Sequence, residues 1–88
     1  MIARILHEGQ YELPASALAD LRKLDDELME RLTAGDAAGF AGRRDALLAL
    51  VRSEGQVLPA EVLRESDLVL PPADMTLEEA RSLFTQHA

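Results

Sequence analysis

The chain has 88 residues, of which 16 are acidic and 9 are basic, so its formal net charge is −7. This charge argues against direct binding to nucleic acid or to anionic lipid headgroups, because both require a basic surface. Cysteine is absent and aromatic residues are scarce, which excludes a disulfide framework, a thiolate metal site and a base-stacking platform.

The length suits one domain over residues 1–88 with a thin core. No apolar run is long enough for a signal peptide or a membrane-spanning helix. We therefore expect a cytoplasmic protein that does not insert into a membrane directly.

The N-terminal residues predict a β-hairpin. Ile2 to Leu6 is rich in residues that favour strands, Glu8-Gly9 supplies a turn, and Gln10 to Leu13 returns. Because two strands alone are marginally stable in water, a third strand or a helix has to cover them.

Two amphipathic helices are predicted next. The first runs from about Pro14 to Ala34, and Gly35 is expected to end it in a left-handed conformation. Asp36 is expected to cap a second helix that runs to about Glu54. So short a connection predicts an antiparallel helical hairpin. The inner faces are expected to carry Leu18, Leu21, Leu24, Leu28 and Leu32 on the first helix, and Phe40, Leu47, Leu48 and Val51 on the second.

The last third of the chain predicts one further strand and one helix. Leu68-Val69-Leu70 is apolar and extended, and we expect it to join the N-terminal hairpin, with Val57-Leu58 as another extended contact. Thr76 and Glu79 have the spacing of a capping box, so a helix should run from Leu77 to about Gln86. Its inner side is expected to carry Leu77, Ala80 and Phe84.

These elements together predict an α+β fold with the order β-β-α-α-β-α. A small antiparallel sheet, made of the N-terminal hairpin and the strand near 68–70, packs on an antiparallel helical hairpin, and a short C-terminal helix follows.

Two charged residues interrupt the apolar faces of the hairpin. Asp25 falls within the leucine stripe of the first helix, and Arg44 falls within the apolar face of the second. Reflection about Gly35 places them close to the same level, so the sequence predicts that they lie within hydrogen-bond reach. They are an internal ion pair, or two side chains that snorkel to the rim, or a charge pair on a docking face that selects the register of a partner.

No catalytic, cofactor-binding or metal-binding residues are predicted. The acidic cluster of Asp25, Asp26, Glu27 and Glu30 lies on a helix, where neighbouring positions cannot wrap a cation, and a solvated face is the better interpretation. The histidines and serines show no metal or nucleophile motif. An enzyme is therefore not expected.

The segment from Leu68 to Pro72 has two possible roles, and the sequence does not decide between them. It is a third strand whose prolines block further pairing, or it is an edge where a partner adds a strand or lays a helix into a neighbouring groove, and the two roles are compatible. The predicted partner-binding residues are Asp25, Asp26, Glu30, Arg44, Leu68 and Leu70.

The order and spacing of several short segments resemble the phage-shock-protein-A-associated family, PspAA. They are Met1-Ile2-Ala3-Arg4-Ile5-Leu6, Glu8-Gly9-Gln10-Tyr11, Leu24-Asp25-Asp26-Glu27-Leu28, Ala34-Gly35-Asp36, Leu47-Leu48-Ala49-Leu50-Val51-Arg52 and Ser66-Asp67-Leu68-Val69-Leu70-Pro71-Pro72-Ala73-Asp74. Arg44 departs from the apolar residue that the family pattern leads us to expect.

The resemblance implies a non-enzymatic accessory protein of the phage-shock, or envelope-stress, response. Its implied partner is phage shock protein A (PspA), a long coiled-coil protein that assembles on stressed inner membranes. The resemblance implies binding to this partner, modulation of its assembly, and recruitment to the inner membrane through it. The alternatives are a small structural homodimer, and a ligand-binding module or enzyme subunit with a true pocket.

Overall fold

The computed structural model describes residues 1–61 and 64–85, except the side chains of residues 84 and 85. The sheet has the strand order β3-β2-β1-β4. In chain order the elements are β1 (Ile2–Ile5), β2 (Gly9–Glu12), a short 3-10 turn (Ala15–Ala17), α1 (Leu18–Ala34), α2 (Ala37–Glu54), β3 (Gln56–Val57), β4 (Leu68–Leu70) and α3 (Leu77–Thr85). The predicted α+β architecture is confirmed, and so is the order of its main elements.

β1 and β2 form the predicted hairpin. They pair antiparallel, with Ile2 opposite Glu12 and Ile5 opposite Gly9. The turn lies slightly earlier than expected, because His7 takes the left-handed conformation at φ 68° and Gly9 already begins β2. Asparagine, aspartate and histidine tolerate this conformation better than most residues, so the turn does not need a glycine at its centre.

β4 joins β1 as predicted, but in the parallel direction. Ala3 pairs with Leu68 and Ile5 pairs with Leu70. The sheet is therefore mixed, whereas the sequence predicted an antiparallel sheet. The physical reason is that the chain leaves β3 at one edge and crosses to the opposite edge before it forms β4. A crossing connection of this kind brings a strand back in the parallel sense.

A buried glutamine holds part of the crossing segment. Gln10 is 6% exposed and pairs with Arg4, so its side chain lies on the sheet face opposite the helices. Its Nε2 donates to the carbonyl oxygen of Arg64 at 2.7 Å and to Oγ of Ser66 at 2.8 Å. These two bonds satisfy both amide hydrogens of a side chain that could not remain buried without partners.

The helical hairpin forms at the predicted residues. Gly35 has φ 73°, and its N–H donates to the carbonyl oxygens that end α1. Oδ1 of Asp36 accepts a hydrogen bond from the N–H of Gly39 at 3.0 Å, which caps α2. The inner faces pack as expected, with these residues buried: Leu21, Leu28, Leu32, Phe40, Leu47, Leu48 and Val51.

The capping box of α3 is also confirmed. The N–H of Glu79 donates to Oγ1 of Thr76, and the N–H of Thr76 donates to Oε1 of Glu79, both at 3.1 Å. Leu77 and Ala80 are buried as predicted. The predicted contact of Phe84 and the predicted helix end at Gln86 lie outside the described residues.

Candidate functional site: an apolar groove beside strand β4

A groove with a volume of about 580 Å³ lies beside β4, between α1 and α3. Its described lining is apolar at six positions and acidic at two: Leu6, Leu28, Met29, Leu68, Val69, Leu83, Asp25 and Asp67. We call this feature the β4 groove. Among the described residues, the large apolar side chains exposed to solvent are Met29, Val57 and Val69, and two of these three line the groove. Exposed apolar surface that gathers at one place is typical of an interaction site.

The groove lies at an edge of the sheet, because β4 is an edge strand and α1 supplies the opposite side of the groove. Leu28 belongs to the buried stripe of α1 and closes the inner side of the groove, whereas Met29 lies one position further round the helix and is 37% exposed. Leu68 contributes a half-buried side chain from the edge strand. α3 supplies the third side through Leu83.

Asp25 is a half-buried carboxylate in this apolar surrounding. It makes no hydrogen bond and no ion pair with another residue in the described part of the chain. Burial, together with the neighbouring charge of Asp26, raises the pKa of Asp25 above its ordinary value. A carboxylate that loses water without gaining a donor is destabilised in its charged form.

The second acid of the groove has a structural partner. Oδ2 of Asp67 accepts a hydrogen bond from the N–H of Ile2 at 2.8 Å, and the N–H of Asp67 donates to the carbonyl oxygen of Ile2 at 2.8 Å. These bonds attach the start of β4 to the start of β1. Asp67 therefore positions the groove wall, and its remaining carboxylate oxygen adds negative charge there.

The predicted pair between Asp25 and Arg44 does not form. Nη1 of Arg44 donates to the carbonyl oxygen of Met75 at 2.8 Å, and its Nε donates to Oδ1 of Asp45 at 3.0 Å. Asp25 lies on the side of α1 that faces β4 and α3, whereas Arg44 reaches the loop before α3. A helical wheel places both residues on inner faces but does not say which neighbouring element each one meets.

Another pair of residues nevertheless supports the predicted alignment of the two helices, in which positions equally distant from Gly35 lie side by side. Nε of Arg43 lies 3.2 Å from Oε1 of Glu27, in an ion pair without hydrogen-bond geometry. Both residues are eight positions from Gly35, one on each side. The antiparallel register is thus as expected, and the residues that bridge it differ from those predicted.

The structure brings only part of the predicted partner-binding set together. Asp25 and Leu68 line the β4 groove. Asp26 and Glu30 are exposed on the adjoining surface of α1, beside Met29.

Leu70 was predicted to contact a partner, but it has 0% exposure and belongs to the hydrophobic core. It pairs with Ile5 and points to the helices, so it has no surface to offer a partner. Arg44 likewise serves an internal contact with the carbonyl oxygen of Met75.

Sequence reasoning missed most of the groove lining. Met29 and Leu83 lie next to the apolar stripes of their helices, and this is the one sequence signal that could have identified them. An apolar residue just outside a buried stripe extends the apolar face sideways. Leu6 and Val69 gave no comparable signal, because their exposure depends on which strand occupies the sheet edge.

The residues of the β4 groove are suited to binding another molecule. Within residues 1–61 and 64–85 no group of three or more His, Cys, Asp or Glu side chains is placed to hold a metal ion. An open apolar groove with a carboxylate on its wall can accept an apolar surface that carries a cation.

Comparison with known protein families decides the affiliation of the chain. The family model described as PspA-associated protein matches residues 1–88, which is the whole chain. The chain belongs to the PspA-associated protein family. PspAA is an accessory-protein family rather than a known enzyme family, and its name points to association with PspA in the phage-shock system. No curated protein and no solved structure matches the chain. None of the helices in the described residues is both long enough and apolar enough to cross a bilayer.

Proposed function

We propose that the chain is a non-enzymatic accessory of the phage-shock response that binds PspA and modulates its assembly. Family membership supports PspA as the partner. The observation that carries the proposal is the β4 groove, because it exposes apolar side chains at one place and is open enough to receive a polypeptide.

The charge of the chain supports the same proposal. The net charge of −7 and the exposed acids Asp26 and Glu30 beside the groove favour a partner surface that is basic. Such complementarity accelerates association more than it increases final affinity, and salt screens it. Recruitment to the inner membrane then occurs through PspA, and the chain acts at the cytoplasmic face.

The test is binding of purified PspA to two variants that carry the same change on opposite edges of the sheet. Val69→Glu introduces a charge on β4, at an exposed residue that lines the β4 groove, and Val57→Glu introduces the same charge on β3, at the far edge. Both valines are exposed, at 39% and 64%, so neither change disturbs the core. Circular dichroism and thermal unfolding establish that both variants are folded.

We expect Val69→Glu to weaken PspA binding at least tenfold and Val57→Glu to leave it unchanged. The association rate of the wild type should fall as ionic strength rises. Equal effects of the two variants, or no binding of the wild type to PspA, contradict the proposal. Sedimentation of the chain alone at several concentrations tests the homodimer: self-association that Val69→Glu abolishes assigns the groove to a second copy instead.

Modulation of assembly has its own measurement. Light scattering or electron microscopy of PspA, with increasing amounts of the chain, should show a change in assembly size that Val69→Glu removes. If the size of the PspA assembly does not change at a saturating amount of bound chain, the modulating role is contradicted, whereas the proposal that the chain binds PspA still stands.

A further inference from the structure

The β4 groove contains a charge that its own fold does not neutralise. Asp25 has no hydrogen-bond or ion-pair partner among residues 1–61 and 64–85, and the two arginines nearest to its level on α2 are engaged elsewhere. Arg43 contacts Glu27, and Arg44 contacts Met75 and Asp45. A carboxylate in apolar surroundings is stabilised by a cation that approaches with its own apolar stem, as lysine and arginine side chains do.

The shape of the groove favours a helix over an added strand. Asp25 and Met29 are four positions apart and form a ridge along α1, and Leu28, three positions after Asp25, flanks it; such a ridge can interdigitate with the ridges of another helix. β4 has only three residues and is followed by Pro71 and Pro72, which leaves a strand very few backbone groups to pair with.

Charge argues against a second copy of the chain as the occupant. Each copy has a net charge of −7, and pairing two copies through the groove would bring Asp25 and Asp67 of one copy against the same residues of the other. A partner helix with apolar residues and a positive charge meets the same groove without this repulsion.

We infer that the β4 groove receives the apolar face of one PspA helix, and that Asp25 accepts a lysine or arginine carried at the border of that face. This inference rests on the proposed function and specifies the site, the secondary structure of the bound segment and the charge that selects it. The ridge of α1 sets the position of the bound helix, and Asp25 sets its register.

Photo-crosslinking tests the secondary structure of the bound segment. Met29 is replaced by the photo-crosslinker p-benzoylphenylalanine, the full chain is irradiated with purified PspA, and the crosslinked PspA positions are identified by mass spectrometry. We expect positions three or four residues apart, with a lysine or arginine in the same segment. The same replacement at Val57 is the matched control and should give no crosslink. Positions two apart, as in an added strand, or crosslinks between copies of the chain overturn the inference.

Two isosteric variants test the charge. Asp25→Asn removes the negative charge in the groove, and Asp20→Asn removes an exposed charge on the same helix outside it. We expect the first change to weaken PspA binding about tenfold, with reduced salt dependence, and the second to leave affinity nearly unchanged. If both variants bind like the wild type, Asp25 does not select the partner and the inference fails.

The outcomes separate the inference from the proposed function. If the wild type does not bind PspA, the proposed function fails, and the inference fails with it. If the wild type binds but the crosslinks at Met29 lack helical spacing or Asp25→Asn has no effect, the proposed function stands and the inference alone is wrong.

Discussion

Nε of Arg52, in the last turn of α2, donates to Oε2 of Glu8 at 3.1 Å and thereby joins the helical hairpin to the β1–β2 turn. The hydroxyl of Tyr11 donates to the same oxygen at 2.6 Å. The hydrogen bonds from Arg52 and then Tyr11 lower the pKa of Glu8 from 4.5 to about 2. Two side chains, one from β2 and one from the last turn of α2, thus donate to the carboxylate of Glu8 in the hairpin turn.

Glu8→Gln should destabilise the fold in a pH-dependent manner. Because the folded-state pKa is depressed, the carboxylate contributes stability above pH 4.5, and this contribution is lost as the pH falls towards 2. Glu8 and Arg52 are accessible to solvent, so we expect a loss of only about 0.5–1 kcal/mol at neutral pH. Urea unfolding of wild type and variant checks this, with Glu12→Gln on the same hairpin as the control. A difference that persists unchanged in acid contradicts the assignment.

Gly35→Ala should destabilise the helical hairpin by about 1–2 kcal/mol. A Cβ at this position would meet no atom within 4 Å, so the effect comes from the backbone at φ 73° and not from a clash. Gly42 is the matched control: it lies within α2, is exposed and also has open space around it. Gly42→Ala should therefore stabilise the protein by about 0.5–1 kcal/mol. Chemical denaturation measures both, and equal signs for the two changes refute the prediction.

Gln10→Ala should loosen the segment that crosses the sheet. The change removes the two hydrogen bonds to Arg64 and Ser66, and we expect a loss of about 1–2 kcal/mol in unfolding free energy. Hydrogen exchange at the amide of Asp67, which donates to Ile2, should accelerate beyond the global change. Gln56→Ala, at an exposed position on β3, serves as the control and should affect neither measurement. Uniform acceleration throughout the sheet would instead indicate a global effect.

Asp25→Asn should raise the stability of the chain without a partner at neutral pH. The pKa of Asp25 is raised by burial and by Asp26, so the folded state favours the protonated form. Wild-type stability should therefore increase as the pH falls through the folded-state pKa, and the advantage of the variant should shrink towards acid. Thermal unfolding across this range measures the difference. A variant that is less stable than wild type at neutral pH would show that Asp25 makes a stabilising contact.

The hairpin around Gly35 was predictable because its signals are local. A left-handed glycine, an aspartate cap and leucines at helical spacing all lie within the two helices themselves. The capping box at Thr76 was predictable for the same reason.

The direction of β4 was not predictable in this way. It depends on the path taken between β3 and β4, and a long-range contact such as that from Gln10 to Ser66 fixes this path. The apolar run before Pro71 and Pro72 identified Leu68–Leu70 as a strand, but it carries no information about the direction in which a strand pairs.

The candidate site was predicted only at Asp25 and Leu68, together with the possibility of a groove beside the edge. The predicted partner of Asp25 was wrong. A helical wheel places Arg44 on the inner face of α2, but it does not show that the Arg44 side chain reaches the carbonyl oxygen of Met75 instead. Leu70 was misplaced because Leu68 and Leu70 share the inward face of the edge strand, and the sequence does not show that Leu70 is fully covered there while Leu68 stays partly accessible.

The bond between Ile2 and Asp67 joins residues that are 65 positions apart, and this separation has a consequence for biosynthesis. While the chain is being made, α1 and α2 can associate through local contacts long before β4 has been synthesised. Until then the first strand is paired on one side only, with β2, and its other edge is open. The nascent protein therefore exposes the part of its core that β4 covers until that strand has been synthesised, and in that interval it is most vulnerable to aggregation.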